Sequence, residues 1–236
     1  MTAHEKKLKD ILNGARLLEI PYYQRAYVWN EDLWKRFLDD LLDLTSISSK
    51  PHFIGSIILK QQQTPSMGGV SDIRTVIDGQ QRLTTIAIFF KVLSLKLGQD
   101  WIFDDLCKCR SIENGKSTMV LAFRHNHIDR DAFEKIMYLD KPVNLAPINK
   151  KGEVLEDDSQ IINAYQYFLR EVDVSIFDVN SVAQILDKIS DKIKSNYFDG
   201  YETVEIFPSF LLSSKKITDL LKIYAITLPL HIINIR

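Results

Sequence analysis

The spacing of apolar side chains divides the chain into a mixed front half and a mostly helical back half. In the front half, short β-branched runs alternate with segments whose apolar positions recur at the helical period. The predicted strands cover residues 16–20, 53–60 and 73–77, and the predicted helices cover 4–13, 31–44 and 81–97. Gly98 directly follows the last of these helices, where a glycine commonly caps the C-terminus.

Beyond residue 100 the helical period dominates. Helices are expected after Asp129, after Ser159, over 182–193 and after Ser214, with β-like runs at 119–123 and 203–207. We therefore expect an α+β or α/β fold. A small mixed sheet with helices would occupy residues 1–100, and a mostly helical region would follow over 101–236.

The composition limits which partners the protein can bind and in which compartment it is expected to work. Thirty basic and 31 acidic side chains give 236 residues a net charge of −1, so contact with DNA must come from a local patch. No apolar run is long enough to span a bilayer, and Met1–Asp10 is too charged for a signal peptide. Cys107 and Cys109 lie too close in sequence for a mutual disulfide. These features predict a reduced, cytoplasmic protein without a membrane partner.

The richest chemistry lies in residues 76–85, which read Val-Ile-Asp-Gly-Gln-Gln-Arg-Leu-Thr-Thr. A predicted strand enters an Asp-Gly turn, and a predicted helix follows at once. The N-terminus of a helix carries a partial positive charge and binds phosphate well. Asp-Gly is also a very common turn, and glutamine and arginine are ordinary residues in a first helical turn, so local physics alone favours a plain turn.

Two further motifs change this interpretation. Residues 20–29 read Ile-Pro-Tyr-Tyr-Gln-Arg-Ala-Tyr-Val-Trp, and residues 53–57 read Phe-Ile-Gly-Ser-Ile. In this order and spacing, the three motifs closely resemble the bacterial family defined by its Asp-Gly-Gln-Gln-Arg motif. That family forms the N-terminal part of GmrSD-type modification-dependent restriction enzymes and of related phage-defence proteins. A weaker likeness extends the resemblance over roughly residues 15–200.

The resemblance implies a ParB/sulfiredoxin-like nucleotide-binding core in residues 1–100. It implies nucleoside triphosphate hydrolysis that controls DNA cleavage by a separate His-Asn-His nuclease domain or subunit. No His-rich metal pocket of that kind is visible after residue 200. Leu211 and Ser214 stand where the family pattern has asparagine and glycine, so we expect a truncated or decayed member with weak turnover.

Each residue of the Asp-Gly-Gln-Gln-Arg motif suits a step in phosphate chemistry. Gly79 lets the backbone pass close to a phosphate, and the planar Arg82 guanidinium suits bidentate phosphate contact. Asp78 is the candidate ligand for Mg²⁺, through water, or the group that orients an attacking water. Gln80 and Gln81 are the candidates for positioning that water, as a glutamine does in other nucleotide hydrolases.

The 20–29 motif supplies candidates for completing the site. We expect Gln24 and Arg25 to lie within reach of the turn, at the ends of adjacent strands, and to complete a phosphate clamp. Tyr23 is a candidate for stacking on the base, as are Tyr22, Tyr27 and Trp29. The alternatives are a salt bridge from Arg25 to Asp78 and a packed aromatic loop cluster.

Two functions from different classes follow. The first is a Mg²⁺-dependent nucleotide hydrolase that serves a DNA restriction or phage-defence system. The second is a regulatory module, or a decayed remnant, that binds a nucleotide or DNA without turnover. Direct phosphodiester cleavage has less support, because the sequence lacks a clustered acidic set. His125 and His127, with Asp129 nearby, fit solvated histidines better than a metal site, which needs three or more converging ligands.

Overall fold

The computed structural model describes residues 3–5, 12, 16–45, 55–62, 69–147, 155–178, 180–182, 185, 193–198 and 201–206. The described chain folds into a mixed sheet covered by helices, with a small hairpin to one side. The expected α+β class is therefore confirmed.

The main sheet has seven strands in the order β1-β8-β9-β3-β4-β2-β7. Its members are β1 (Ala3–Glu5), β2 (Arg16–Glu19), β3 (Gly55–Gln61), β4 (Asp72–Asp78), β7 (Phe123–Arg124), β8 (Ile193–Phe198) and β9 (Tyr201–Ile206). Strand β2 runs parallel to both β4 and β7, whereas the other pairs are antiparallel. Strands β5 (Lys108–Glu113) and β6 (Lys116–Leu121) form the separate hairpin.

The helices are α1 (Glu31–Thr45), α2 (Gln80–Leu97), α3 (Asp100–Cys107), α4 (Arg130–Met137) and α5 (Gln160–Glu171). Helix α2 is buried along most of its length and forms the centre of the core. On it, the ring of Phe89 packs edge-on at 5.7 Å from Phe37, 5.7 Å from Phe168 and 5.6 Å from Phe177. These contacts tie α1, α2 and α5 together and hold the start of α2 in a fixed place.

Most elements that local periodicity predicts are present. The exceptions lie at both ends of the described chain and around residues 100–113. The helix predicted over 4–13 is wrong at its start, because Ala3–Glu5 is a strand that pairs with β8. The helix predicted over 182–193 is wrong at its end, because Ile193 begins β8; residues 180–182 and 185 are helical. Helix α3 and strand β5 were not expected, and the helix predicted after Ser214 lies outside the described residues.

The sheet draws strands from both predicted regions. Strand β9 pairs with β3, and β7 pairs with β2. The single strand expected at 119–123 is in fact two, because β6 ends at Leu121 and the chain then enters the main sheet as β7. The boundary at residue 100 stays a prediction.

Candidate functional site

The Asp-Gly-Gln-Gln-Arg motif forms a sharp turn from β4 into α2. Strand β4 ends at Asp78, Gly79 has a φ of +97°, and α2 begins at Gln80. A Cβ atom on residue 79 would lie 2.9 Å from Ile57 Cγ1, closer than real contacts allow. Both the dihedral angle and the crowding require glycine here.

The start of α2 leaves polar groups available to a ligand. The first intrahelical bond is donated by Leu83 N–H to the Gly79 carbonyl, so the N–H groups of residues 80–82 have no acceptor within the helix. Gly79 provides no side-chain cap. Arg82 Nη2 lies 3.4 Å from Asp78 Oδ2, and both side chains are partly exposed. The helix terminus, the carboxylate and the guanidinium therefore share one surface.

The 20–29 motif forms the loop between β2 and α1, and it docks on this turn. Because β2 and β4 are parallel, both strands end at the same edge of the sheet. A β-bulge in the β3–β4 pairing, where Ile58 faces Asp78 and Leu59 faces Val76, leaves Ile77 as the extra residue. The carbonyl of Ile77 accepts a hydrogen bond from Gln24 Nε2 at 3.0 Å. The two motifs thus meet, as the sequence predicts.

The two glutamines of the turn have different surroundings. Gln81 uses its whole amide on the docked loop: its Oε1 accepts from Val28 N–H at 2.9 Å, and its Nε2 donates to the Ala26 carbonyl at 3.1 Å. Gln80 Nε2 donates to the Arg25 carbonyl at 3.0 Å. Gln80 Oε1 is buried and has no hydrogen-bond partner among the described residues, and the residue is only 4% exposed. An unpaired buried acceptor of this kind costs about 1–3 kcal/mol.

Arg25 and the neighbouring tyrosines face solvent. The Arg25 side chain is exposed and makes no ion pair with the part of the chain that the structure describes; Asp78 pairs with Arg82 instead. Tyr22 and Tyr23 are also exposed, with ring centroids 5.5 Å apart in an edge-to-face arrangement. The loop that docks on the turn therefore carries one exposed cation and two exposed aromatic rings.

Tyr27 and Trp29 follow the alternative interpretation, in which the aromatic residues of this motif pack together with the core. Tyr27 is buried, and its hydroxyl accepts from Trp34 Nε1 at 2.8 Å and bonds Thr85 Oγ1 at 2.6 Å. The Thr85 hydroxyl itself donates to the Gln81 carbonyl at 2.8 Å, so Tyr27 is the donor to Thr85. Burial raises the pKa of the Tyr27 phenol. Trp29 packs against the core. Tyr27 and Trp29 therefore anchor the loop and do not present their rings for base stacking.

Sequence reasoning missed the role of residues 125–129. His125 is buried, not solvated as predicted; its Nε2 lies 2.9 Å from Thr84 Oγ1, and burial lowers its pKa to about 3. Asn126 Nδ2 donates to the Gln24 carbonyl at 3.2 Å, and Asp129 Oδ2 accepts from Tyr27 N–H at 2.8 Å. Only His127 is exposed as expected. The available signal was a run of polar residues directly after an apolar strand.

The described residues contain no group of three or more His, Cys, Asp or Glu side chains suited to a metal ion. Mg²⁺, however, commonly binds one or two carboxylates together with substrate phosphates and water. Asp78 suits that arrangement, in which a nucleotide brings most of the oxygen ligands. Cys107 and Cys109 are buried free thiols, and burial raises the pKa of Cys109 to about 11, which makes it unreactive.

Comparison with known families decides the affiliation of the chain. The model of the GmrSD restriction endonuclease N-terminal domain matches residues 8–225. The chain belongs to this family. A search of curated proteins finds no significant match. The affiliation agrees with the resemblance seen in the sequence motifs, and the matched range includes both the turn and the loop that docks on it.

Membership of the GmrSD family makes the chain a component of a DNA restriction or phage-defence system. Such a system joins this domain to a nuclease partner that acts on DNA. Across the described residues, no helix is both long and apolar enough to cross a membrane.

Proposed function

We propose that this GmrSD N-terminal domain binds a nucleoside triphosphate at the β4–α2 turn and hydrolyses it with Mg²⁺. Hydrolysis would control DNA cleavage by the nuclease partner. The observation that carries the proposal is the docking of the 20–29 loop on the turn: the Arg25 carbonyl accepts from Gln80 Nε2, while Gln80 Oε1 is buried without a partner among the described residues. The side chain of Arg25 is exposed on this loop.

The groups proposed to bind phosphate are the guanidinium groups and the backbone N–H donors at the start of α2. The backbone N–H groups of residues 80–82 and the positive end of α2 suit the phosphate oxygens. Arg82 on the turn and the exposed Arg25 on the docked loop would supply guanidinium groups, and charge-assisted bonds from such groups are strong. Gly79 keeps the surface clear of a Cβ. Gln24 contributes by holding the Ile77 carbonyl, which fixes the loop that carries Arg25.

The water-positioning role belongs to Gln80 rather than to Gln81. Both amide atoms of Gln81 already bond the loop backbone, so turning it toward a water would break two hydrogen bonds. Gln80 keeps Oε1 free to accept from a water, while Nε2 is anchored on Arg25. Asp78 would hold Mg²⁺ through water, and Mg²⁺ would neutralise charge on the phosphates.

The exposed side chains suggest where the rest of the substrate lies. Tyr23 is 62% exposed and stands beside Tyr22, so either ring can stack on the nucleotide base. Arg25 is exposed on the docked loop, and His127 and Arg130 are exposed next to Asn126, which binds that loop, so these three residues are proposed as a small patch of basic and polar groups. This patch is the candidate contact for DNA in a chain without a global positive charge.

A regulatory module that binds without turnover is the second candidate. The pairing of Asp78 with Arg82 favours it, because that carboxylate must leave the guanidinium before it can orient water or a metal ion. A partly exposed pair of this kind contributes less than about 1 kcal/mol, so a bound nucleotide can separate it.

Binding is tested by calorimetric titration with a non-hydrolysable nucleoside triphosphate and Mg²⁺. Arg82→Ala should weaken binding by on the order of tenfold or more, because a charge-assisted hydrogen bond is lost. Arg110→Ala is the matched control, since that exposed arginine lies on the separate hairpin. Equal affinity of wild type and Arg82→Ala would remove Arg82 from the site.

Turnover is tested by phosphate release from four proteins with intact folds. Asp78→Ala and Gln80→Ala should lose release while they retain nucleotide binding. Gln81→Ala should instead lower thermal stability, since it frees Val28 N–H and the Ala26 carbonyl. Release by wild type that equals release by Asp78→Ala, with normal binding, would reject hydrolysis and leave the regulatory module.

A further inference from the structure

We propose that Asn126 and Asp129 are positioning residues that hold the 24–28 loop in its docked conformation and thereby orient Gln80. The inferred effect on Gln80, and hence on kcat, rests on the proposed nucleotide hydrolysis. The inferred effect on the conformation of the 24–28 loop depends only on the contacts between that loop and the 125–129 segment. The segment 125–129 joins β7 to α4 and reaches across more than 100 positions of sequence to the loop.

The Asn126 side chain joins the backbone of the 24–28 loop to the backbone of its own segment through hydrogen bonds. Its Nδ2 donates to the Gln24 carbonyl at 3.2 Å and lies 3.5 Å from the Arg25 carbonyl. Its Oδ1 accepts from Ile128 N–H at 3.2 Å and from Asp129 N–H at 3.1 Å. The side chain is 2% exposed, so water cannot replace these bonds without a local opening. Both the amide nitrogen and the amide oxygen of Asn126 therefore have hydrogen-bond partners.

Asp129 is placed to cap α4 but does not do so. The residue directly precedes the helix, where an aspartate side chain normally accepts a bond from the first helical turn. No such bond is present, and Oδ2 accepts from Tyr27 N–H at 2.8 Å instead. Asp129 is only 6% exposed, and burial raises the pKa of its carboxyl group. A buried carboxylate is costly, and here it serves the loop rather than its own helix.

Two separate segments of the chain therefore hold the loop. The start of α2 binds it through the Gln80 and Gln81 amides, whereas the 125–129 segment binds it through Asn126 and Asp129. The Arg25 carbonyl is the shared point, because it accepts from Gln80 and lies next to Asn126. Loss of Asn126 should therefore let this carbonyl move and leave Gln80 poorly oriented. Phosphate contacts made by the helix terminus would persist.

The test combines hydrogen–deuterium exchange with steady-state kinetics on the whole chain. In Asn126→Ala, exchange of residues 22–29 should rise about tenfold, as expected for the loss of a buried hydrogen bond. The kcat for phosphate release should fall about tenfold while nucleotide Kd stays within about threefold. Asp129→Asn keeps an oxygen acceptor for Tyr27 N–H and should retain slow exchange and normal kcat. Ile128→Ala is the matched control, because this side chain in the same segment is exposed and only its backbone N–H takes part in the contacts.

Slow exchange of residues 22–29 in a folded Asn126→Ala protein would overturn the proposal. So would a Kd that weakens in step with kcat, because that result means a general loss of the site rather than misorientation of Gln80. If Asn126→Ala does not fold, Asp129→Ala carries the same test, since it removes the bond that Tyr27 N–H donates to the 125–129 segment. A wild type without turnover would reject the proposed function, and the exchange result would still decide whether Asn126 and Asp129 hold the loop.

Discussion

Replacement of Gly79 by alanine should destabilise the protein at the point where the candidate site is built. The residue has φ +97° and ψ 5°, and an added Cβ would lie 2.9 Å from Ile57 Cγ1 and 3.3 Å from Ile57 Cα. Ile57 is fully buried in the sheet, so neither its side chain nor its backbone can move freely away from the added Cβ. The substitution therefore combines backbone strain with crowding against a neighbouring strand.

The magnitude follows from three contributions. A non-glycine residue in this region of φ costs about 1–3 kcal/mol, and overpacking in a rigid core costs a similar ~1–3 kcal/mol. Reduced entropy of the unfolded chain returns about 0.4–1 kcal/mol. The free energy of unfolding should thus fall by about 3 kcal/mol.

Gly98→Ala is the matched control. Gly98 also has a positive φ, +63°, but a Cβ there meets nothing within 4 Å. Gly98→Ala should lower the free energy of unfolding by about 1 kcal/mol or less, because the reduced entropy of the unfolded chain partly offsets the backbone strain. Urea denaturation of both variants measures the difference. Equal costs at the two glycines would refute the crowding argument, as would strict additivity in the Gly79→Ala, Ile57→Ala double mutant, where relief of the clash should recover part of the loss.

Two further variants test the buried polar groups beneath the site. The pKa of His125 is about 3 in the fold against an ordinary 6.5, so its contribution to stability is complete above pH 6.5 and is lost as pH falls toward 3, by at most about 5 kcal/mol. His125→Gln, which does not titrate, should flatten the pH dependence of urea denaturation over that interval, and an unchanged slope would contradict the burial of a neutral imidazole. Tyr27→Phe leaves Trp34 Nε1 without its acceptor and should cost about 1–3 kcal/mol; a thermal melt within error of wild type would show that the hydroxyl contributes nothing.

Local patterns predict the elements around the site well. The strand over 73–77 and the helix over 81–97 correspond to β4 and α2, because apolar periodicity and the Asp-Gly turn act over a few residues. The parallel pairing of β2 with β4 places both motifs at one edge of the sheet, as expected from their position at the ends of predicted strands. Strand β1 was mistaken for a helix, because its partner β8 lies about 190 residues away and no local window contains it.

The roles of individual polar residues depend on contacts that no local pattern contains. The sequence predicts the same water-positioning role for Gln80 and Gln81. In the structure, however, only Gln81 has both amide atoms bonded to the loop. The pattern assigns Asp129 to the cap of α4, whereas its carboxylate binds Tyr27 N–H. Asn126 gave no signal of its own beyond polarity. In each case the partner lies 53 to 102 positions away.

The sequence by itself determined the strand, the glycine turn and the helix start, together with the family to which their motif belongs. Backbone preferences and apolar periodicity are short-range properties, and they are written in consecutive residues. The tertiary structure decided which amide keeps a free oxygen, which aromatic rings face solvent and which polar segment secures the loop. Those outcomes depend on which buried donor meets which acceptor once distant strands pair, and a buried polar group is satisfied only by a partner at the correct distance and angle.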